Sequence, residues 1–164
     1  MEVFALPETT VMVRFIREIG LQVWKETIEE KTFVPGVLIK HGGLAVDEDK
    51  LLYPGDLLHE AGHLAVMRPE QRATVYKDAS NQPADEMMVL AWSYAAALHL
   101  GLDPEVVFHA NGYKGDAAWL AEHYAKEGAV GLPMLEWIGL TDGPIRAQKN
   151  GTEPFPRMRA WLRT

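Results

Sequence analysis

The residues best able to do chemistry lie in one short stretch, His59-Glu60-Ala61-Gly62-His63. On a helix, residues four positions apart share one face, so the imidazoles of His59 and His63 can reach the same metal ion. The carboxylate of Glu60 then lies beside that ion, where it can act as general base on a bound water. The spacing therefore predicts a metal centre that activates water.

A helix must hold this stretch, and the neighbouring residues predict one. Pro54-Gly55-Asp56 is a helix-start pattern in which Asp56 suits the N-cap, and Pro69 is expected to stop the helix. Gly62 costs about 1 kcal/mol of helix propensity relative to alanine, which indicates close packing at that position. The alternative is a buried core helix whose two histidines make ordinary hydrogen bonds and bind no metal.

A catalytic zinc site needs a third protein ligand and an open position for water. Cysteine is excluded because the chain has none, and no third histidine follows shortly after His63. The next predicted helix begins near Gln82-Pro83, and its only acids are Asp85 and Glu86. We choose Glu86 as the ligand, because it shares a face with small and apolar residues that could pack against the first helix. Asp85 either orients a ligand histidine or, like any acid there, suits the positive helix N-terminus.

Between and around these helices the patterns predict further elements. Residues 9–30 carry apolar side chains at helical spacing and predict an amphipathic helix. Residues 37–40 and 44–47 are short apolar runs separated by His41-Gly42-Gly43, which predicts a β-hairpin. One hairpin strand is the candidate edge for a substrate peptide, and we favour the second. Residues 69–82 are expected to form a polar connection.

The order of a helix, a β-hairpin, the HExGH helix and a helix that starts with Glu resembles the minimal gluzincins of the ImmA/IrrE type. The matching pieces are His59-Glu60-Ala61-Gly62-His63 and Glu86 to Leu98, with Trp92 where that family has an aromatic. The resemblance covers about residues 9–100. It implies a zincin-like core, zinc bound by two histidines and one glutamate, and peptide-bond hydrolysis. The chain is also similar to short bacterial proteins of unassigned function with the same helix pair.

Hydrolases of this kind often add a Tyr, His or Arg that stabilises the developing oxyanion. The candidates are His109 and Tyr113, because they flank a glycine-rich loop of the kind that displays functional groups. Each could equally be an ordinary surface or half-buried polar residue. Trp92, Trp119 and Trp137 are expected to lie in the core.

The length of 164 residues suits a single domain, which we expect to be α+β and mainly helical. The core spans about residues 9–100, with a small antiparallel hairpin packed on the HExxH helix. A helical C-terminal part follows over 101–143, and a basic extended tail over 144–164. The tail could contact the acidic body, a second copy in a homo-oligomer or an acidic ligand, or it could simply add solubility.

Composition excludes several classes of protein. The net charge of −7 argues against a general nucleic-acid binder, and the absence of cysteine rules out disulfides and thiolate metal sites. No apolar run approaches the length of a membrane span, and the first residues lack the pattern of a signal peptide. We therefore expect a cytoplasmic protein.

Taken together, these patterns predict a zinc-dependent hydrolase, most simply a metallopeptidase that acts on a peptide or protein substrate. His59, His63 and Glu86 hold the metal, and Glu60 is the general base for a zinc-activated water. The alternative is a non-catalytic interaction or structural protein with a vestigial metal site. In a third possibility the motif is coincidental and the helices form a core without metal.

Overall fold

The computed structural model of the protein describes residues 3–79 and 82–164. Its helices and strands, in chain order, are α1 (Pro7–Glu18), β1 (Gln22–Lys25), β2 (Val37–Lys40), β3 (Gly43–Val46), α2 (Asp56–Val66), α3 (Pro69–Thr74), α4 (Pro83–His99), α5 (Ala117–Ala125), α6 (Leu132–Trp137) and α7 (Pro144–Asn150). Short 3₁₀ helices cover Pro104–Val106 and Tyr113–Gly115. The fold is α+β and mainly helical, as predicted. Among the helices that the structure describes, none combines the length and the apolar composition that a membrane span requires.

Within the described residues, three strands form one mixed sheet in the order β1-β3-β2. β2 and β3 are the two arms of the predicted antiparallel hairpin, with Val37 opposite Val46. His41 and Gly42 make its turn, and both have positive φ angles, 52° and 71°. β1 lies parallel to β3 on the other side. The hairpin is confirmed, but the choice of its second strand as the substrate edge is wrong, because β3 is the central strand and β2 is at the edge.

The predicted helix over residues 9–30 is correct only in its first half. α1 ends at Glu18, and Gly20 follows with φ of 106°, in the left-handed region that glycine adopts without strain. The chain then enters β1, where the side chain of Val23 is buried. Val23 and Trp24 fit a helical face by spacing, but β-branched and aromatic residues also suit a strand. Pairing with β3 stabilises these residues as a strand.

Helix α2 lies at the centre of the core, and all its residues are buried. It packs most extensively against α4, and it also contacts α1 and the hairpin strands. Gly62 faces α4, where an added Cβ would lie 3.0 Å from the ring of Trp92 and 3.1 Å from Cγ1 of Val89. The glycine therefore allows the close helix packing that the sequence indicates.

The start of α2 differs from the prediction. Gly55 is the N-cap residue and Asp56 is the first helical residue, with no side-chain capping hydrogen bond. A Cβ at Gly55 would lie 1.8 Å from the carbonyl oxygen of Val106, so the two backbones touch there. The carboxylate of Asp56 instead pairs with the ring of His109, 2.8 Å away.

The connection predicted over residues 69–82 is partly helical. α2 ends at Val66, before two extended residues that precede Pro69, as expected for a segment that leads into a proline. Pro69 then begins α3. Beyond this helix the amide of Lys77 donates to the carbonyl of Ile39 in β2 at 2.8 Å. Residues 80–81 of the predicted connection lie outside the described residues.

The C-terminal segment folds back onto the helices of the core. The tail predicted to be extended over 144–164 is helical over its first seven residues, which form α7. Further on, the indole of Trp92 in α4 donates to the carbonyl of Trp161 at 3.0 Å, and the amide of Arg163 donates to the carbonyl of Ala65 in α2 at 2.8 Å. The tail thus packs against its own chain, and its role in self-association stays a prediction.

Candidate metal centre

Helix α2 brings three side chains of the motif into one buried group. His59, Glu60 and His63 offer ligand atoms that lie within 4.8 Å of one another. The Nε2 atoms of the two histidines are 3.2 Å apart, because a separation of four residues puts both rings on one helix face. This group could hold a metal ion.

Helix α4 adds Glu86 to the same place. Its Oε1 lies 3.3 Å from Nε2 of His59, and its Oε2 lies 3.0 Å from Nε2 of His63. Val89, one turn further along α4, packs at Gly62, so the close packing of the two helices positions the carboxylate. The Glu86 side chain is 43% exposed, whereas the histidine side chains are 9% and 7% exposed. Solvent therefore reaches the group from the side of Glu86.

The charges of the group depend on one another. Burial raises the pKa of Glu86, but hydrogen bonds to His59 and His63 outweigh it and hold that pKa well below its usual range. Burial lowers the pKa of His59, but Glu86, Glu60 and Asp56 outweigh it and the pKa is raised. For Glu60, burial is the dominant cause and raises the pKa, although the two histidines oppose it. The nearby carboxylates thus favour the protonated form of His59.

Tyr113 lies behind His59. Its hydroxyl oxygen is 3.1 Å from Nδ1 of His59, the ring nitrogen that does not face His63 and Glu86. The residue has a φ of 58° and begins the short 3₁₀ helix Tyr113–Gly115, directly after Gly112. Burial, reinforced by nearby carboxylates, raises the pKa of Tyr113 well above its usual value, so the hydroxyl keeps its proton. Tyr113 therefore contacts the predicted ligand His59 through its hydroxyl group.

His109 pairs with Asp56 and not with the metal-binding group. Its Nε2 pairs with Asp56 at 2.8 Å, and its ring stacks on Tyr53 with centroids 4.0 Å apart. Its Nδ1 is buried without a hydrogen-bond partner among the described residues. Asp85 is half-buried in the first turn of α4, next to Glu86. The structure thus brings Glu86 and Tyr113 to the histidines and leaves His109 on a neighbouring wall.

A cavity of about 780 Å³ opens beside His59 and Glu86. The apolar residues that line it are Phe33, Val34, Pro35, Leu90, Trp119, Leu120 and Val130. The expectation that three tryptophans lie in the core is therefore wrong for two of them. Trp92 is buried, whereas Trp119 at this cavity is 55% exposed and Trp137 elsewhere on the surface is 85% exposed. Their helical spacing did not reveal which side of each helix faces solvent.

Sequence reasoning missed several residues of this region. Asp56 fits an N-cap pattern, and nothing in the sequence indicates its partner His109, 53 positions away. Tyr53 and Phe33 belong to irregular segments, and neither has a motif that marks it. No local sequence pattern marks these contacts, because they join segments that are distant in the chain.

Comparison with known proteins gave no match. No protein-family model matches the chain, and no curated protein and no solved structure matches it. The resemblance to minimal gluzincins therefore stays a prediction. The structure itself provides a buried His-Glu-His group that is able to bind a metal ion.

Proposed function

We propose that this protein is a zinc-dependent hydrolase, a peptidase of the minimal gluzincin type, whose metal is held by His59, His63 and Glu86. One observation carries the proposal. The two oxygens of Glu86 lie 3.3 Å and 3.0 Å from the Nε2 atoms of the two histidines. Catalytic zinc sites of this class use two imidazole nitrogens and one carboxylate from the protein and keep one position open.

The donor set fits such an ion. The histidines are nearly buried, and their Nε2 atoms converge on each other and on a carboxylate instead of pointing to solvent. A cluster of nitrogen and carboxylate donors around one point suits a divalent cation such as zinc. When bound, the ion supplies Lewis-acid chemistry and lowers the pKa of water at its open position.

Glu60 is the general base in this proposal. Its side chain is next to His59 in the buried group, and the residue is only 4% exposed. Burial raises its pKa towards the range in which a carboxylate exchanges protons efficiently near neutral pH. Glu60 accepts a proton from the attacking water and delivers it to the amine that leaves.

Tyr113 supports the same arrangement as a positioning residue. With Nε2 of His59 used as a ligand, the ring proton is on Nδ1 and is donated to the hydroxyl oxygen of Tyr113, 3.1 Å away. Such an outer hydrogen bond fixes the tautomer and the ring orientation of a ligand histidine. Tyr113 therefore acts on the metal centre through His59.

Access to the centre is consistent with a peptide or protein substrate. Glu86 is partly exposed, and the large cavity shares His59 and Glu86 with the metal-binding group. A scissile amide can therefore approach from solvent with part of the substrate in the cavity. The location in the cytoplasm remains part of the proposal, based on composition alone.

Metal content and hydrolysis, measured on the same samples, test this proposal. The wild-type protein is expected to bind about one zinc ion per chain and to cut peptides in a mixed library followed by mass spectrometry. Glu60→Gln should keep the zinc and the fold but lose about 10²-fold or more in rate, because it removes the proton acceptor. Glu122→Gln, an exposed glutamate of α5, is the matched control and should leave both properties unchanged.

Two results would overturn it. Zinc bound at full occupancy with no hydrolysis of any library peptide would mark the centre as structural or vestigial. No zinc in the wild type after zinc is supplied would mean that the two helices form a core without metal.

A further inference from the structure

The cavity beside the metal-binding group is large enough for more than a small side chain. Its volume of about 780 Å³ falls within the range of about 300–1,000 Å³ in which proteins bind whole small ligands. His59 and Glu86 are part of its wall, so an occupant would lie directly next to the proposed reaction centre.

About half of the residues that line the cavity carry polar groups, and its apolar residues come from separate elements. Leu90 comes from α4, Leu120 from α5 and Val130 from the segment between α5 and α6. Two large aromatic residues also line the cavity and remain open to solvent, Phe33 at 76% and Trp119 at 55% exposure. Exposed aromatic groups next to an apolar cavity are typical of a ligand-binding surface.

Trp119 is held in its exposed position by other residues. Its indole stacks on the imidazole of His123, with ring centroids 4.7 Å apart and an interplanar angle of 15°. The Nε2 atom of His123 accepts a hydrogen bond from the amide of Val130 at 3.2 Å. Gly128 makes room for that ring, because a Cβ there would lie 2.3 Å from it. The indole of Trp119 is thus held in place before any ligand binds.

The other side of the metal-binding group has far less room. A recess of about 40 Å³ is bordered there by Glu60, His63 and residues 77–79. One of these residues is bonded to β2, because the amide of Lys77 donates to the carbonyl of Ile39. The main-chain position that an added substrate strand would use at Ile39 is therefore taken by the protein itself.

We infer that the cavity is the specificity site of the enzyme and that it binds a bulky apolar group of the substrate, an aromatic or long aliphatic side chain. This inference rests on the proposed function for the statement that the group belongs to a substrate. Phe33 and Trp119 contact the group, and His123 positions Trp119. Affinity comes from the cavity instead of from strand addition at β2.

A binding experiment tests the cavity without any catalysis. Nile red, a neutral apolar dye, is titrated into the metal-free protein in the presence of EDTA and followed by fluorescence. We expect saturable binding of one dye per chain, weakened about fivefold or more by Phe33→Ala, Trp119→Ala and His123→Ala. Trp137→Ala removes a more exposed tryptophan that does not line the cavity and should leave the affinity unchanged. Absence of saturable binding, or equal weakening in Trp137→Ala, would overturn the inference.

A second experiment separates this inference from the proposed function. The zinc-loaded protein is given quenched fluorescent peptides that differ only in one residue beside the cut, Gly, Leu or Phe. We expect Phe and Leu peptides to be cut at least about tenfold faster than Gly peptides, and Trp119→Ala to reduce that ratio. Equal cleavage rates for the Gly, Leu and Phe peptides would contradict the cavity assignment but not the proposed hydrolase activity. Dye binding as expected with no cleavage at all would contradict the hydrolase and leave intact only the binding of a bulky apolar group in the cavity.

Discussion

The hydroxyl of Tyr113 lies 3.1 Å from Nδ1 of His59, although the two residues are 54 positions apart in the chain. The loop that carries Tyr113 thereby determines how a histidine of α2 presents its other nitrogen to His63 and Glu86. The metal-binding group is therefore not a property of two helices alone. The geometry of the group also depends on the segment around Tyr113, which provides none of the three proposed metal ligands.

Replacement of Tyr113 by Phe should weaken metal binding. The change removes the hydrogen bond to His59 and keeps the ring, which packs against Phe108 with centroids 5.3 Å apart. Loss of an outer partner of a ligand histidine costs about 10- to 100-fold in metal affinity. Zinc affinity is measured by competition with a chromophoric chelator, and a value within twofold of wild type would contradict the positioning role.

Tyr124→Phe is the control for Tyr113→Phe. The hydroxyl of Tyr124 donates to the carbonyl of Val130 at 2.8 Å, and the residue is also buried. Its loss should lower the free energy of unfolding by about 1 kcal/mol and leave zinc affinity unchanged. The pair of variants separates an effect on the metal from a general loss of stability.

Glu86→Ala should abolish stoichiometric metal binding, whereas Asp85→Ala should not. Glu86 contacts both histidines, while Asp85 occupies the neighbouring position in the same helical turn. Elemental analysis after dialysis gives the metal content of each variant. If Glu86→Ala keeps its zinc, Glu60 becomes the third donor, because its carboxylate is also within the group.

Zinc affinity should rise with pH above 6. In the metal-free protein the pKa of His59 is raised above its ordinary value of 6.5, because the surrounding carboxylates outweigh burial. A metal must therefore displace a proton from this ring, and binding becomes easier as the pH passes through the raised pKa. Zinc dissociation constants measured between pH 6 and pH 9 in non-coordinating buffers give the slope.

The stability of the metal-free protein should fall as the pH rises, whereas zinc affinity should increase. The raised pKa of His59 contributes stability that is fully present below pH 6.5 and is lost as the pH rises through the raised value. Thermal unfolding in EDTA should therefore show a lower midpoint at pH 9 than at pH 6. Glu86→Ala, which removes the carboxylate bonded to His59, should flatten this dependence, and an unchanged slope would assign it to another group.

Gly62→Ala should destabilise the fold even though alanine is the better helix former. The gain in helix propensity is about 1 kcal/mol. The added Cβ would lie 3.0 Å from the ring of Trp92 and 3.1 Å from Val89, and both residues are fully buried. Overpacking of this kind costs about 1–3 kcal/mol, and Gly62→Val should cost more than Gly62→Ala. Urea unfolding of the metal-free protein measures the difference.

A smaller neighbour provides the control for Gly62→Ala. In a Trp92→Phe background the same substitution should cost less, because the ring that meets the new methyl group is smaller. An equal cost in both backgrounds would show that contact with Trp92 is not the cause.

The parts of the site that sequence predicts are those set by local rules. His59 and His63 share a face because they are four residues apart, and Pro83 marks the start of the helix that brings Glu86 to them. The packing of Gly62 against α4 followed from the cost of glycine in a helix. Each of these features depends on residues within one helix, or on the need of two apolar helix faces to pack.

The features that sequence did not predict depend on contacts between distant segments. Val23 fits a helical face by spacing, and only its place beside β3 puts it in a strand. Asp56 fits an N-cap by its position in the sequence, but in the structure it pairs with His109, which lies in the segment after α4. The exposure of Trp119 depends on how α5 is oriented relative to the cavity. The periodicity of side chains within one segment does not indicate which distant segment will pack against it.

Both outer strands of the sheet have a main-chain acceptor occupied by another part of the chain. The guanidinium of Arg17 donates to the carbonyl of Val23 in β1 at 2.6 Å, and the amide of Lys77 donates to the carbonyl of Ile39 in β2 at 2.8 Å. A strand from a second molecule would need these same carbonyls in order to extend the sheet. These two contacts therefore disfavour edge-to-edge aggregation of the sheet. Glu86 nevertheless remains accessible to solvent.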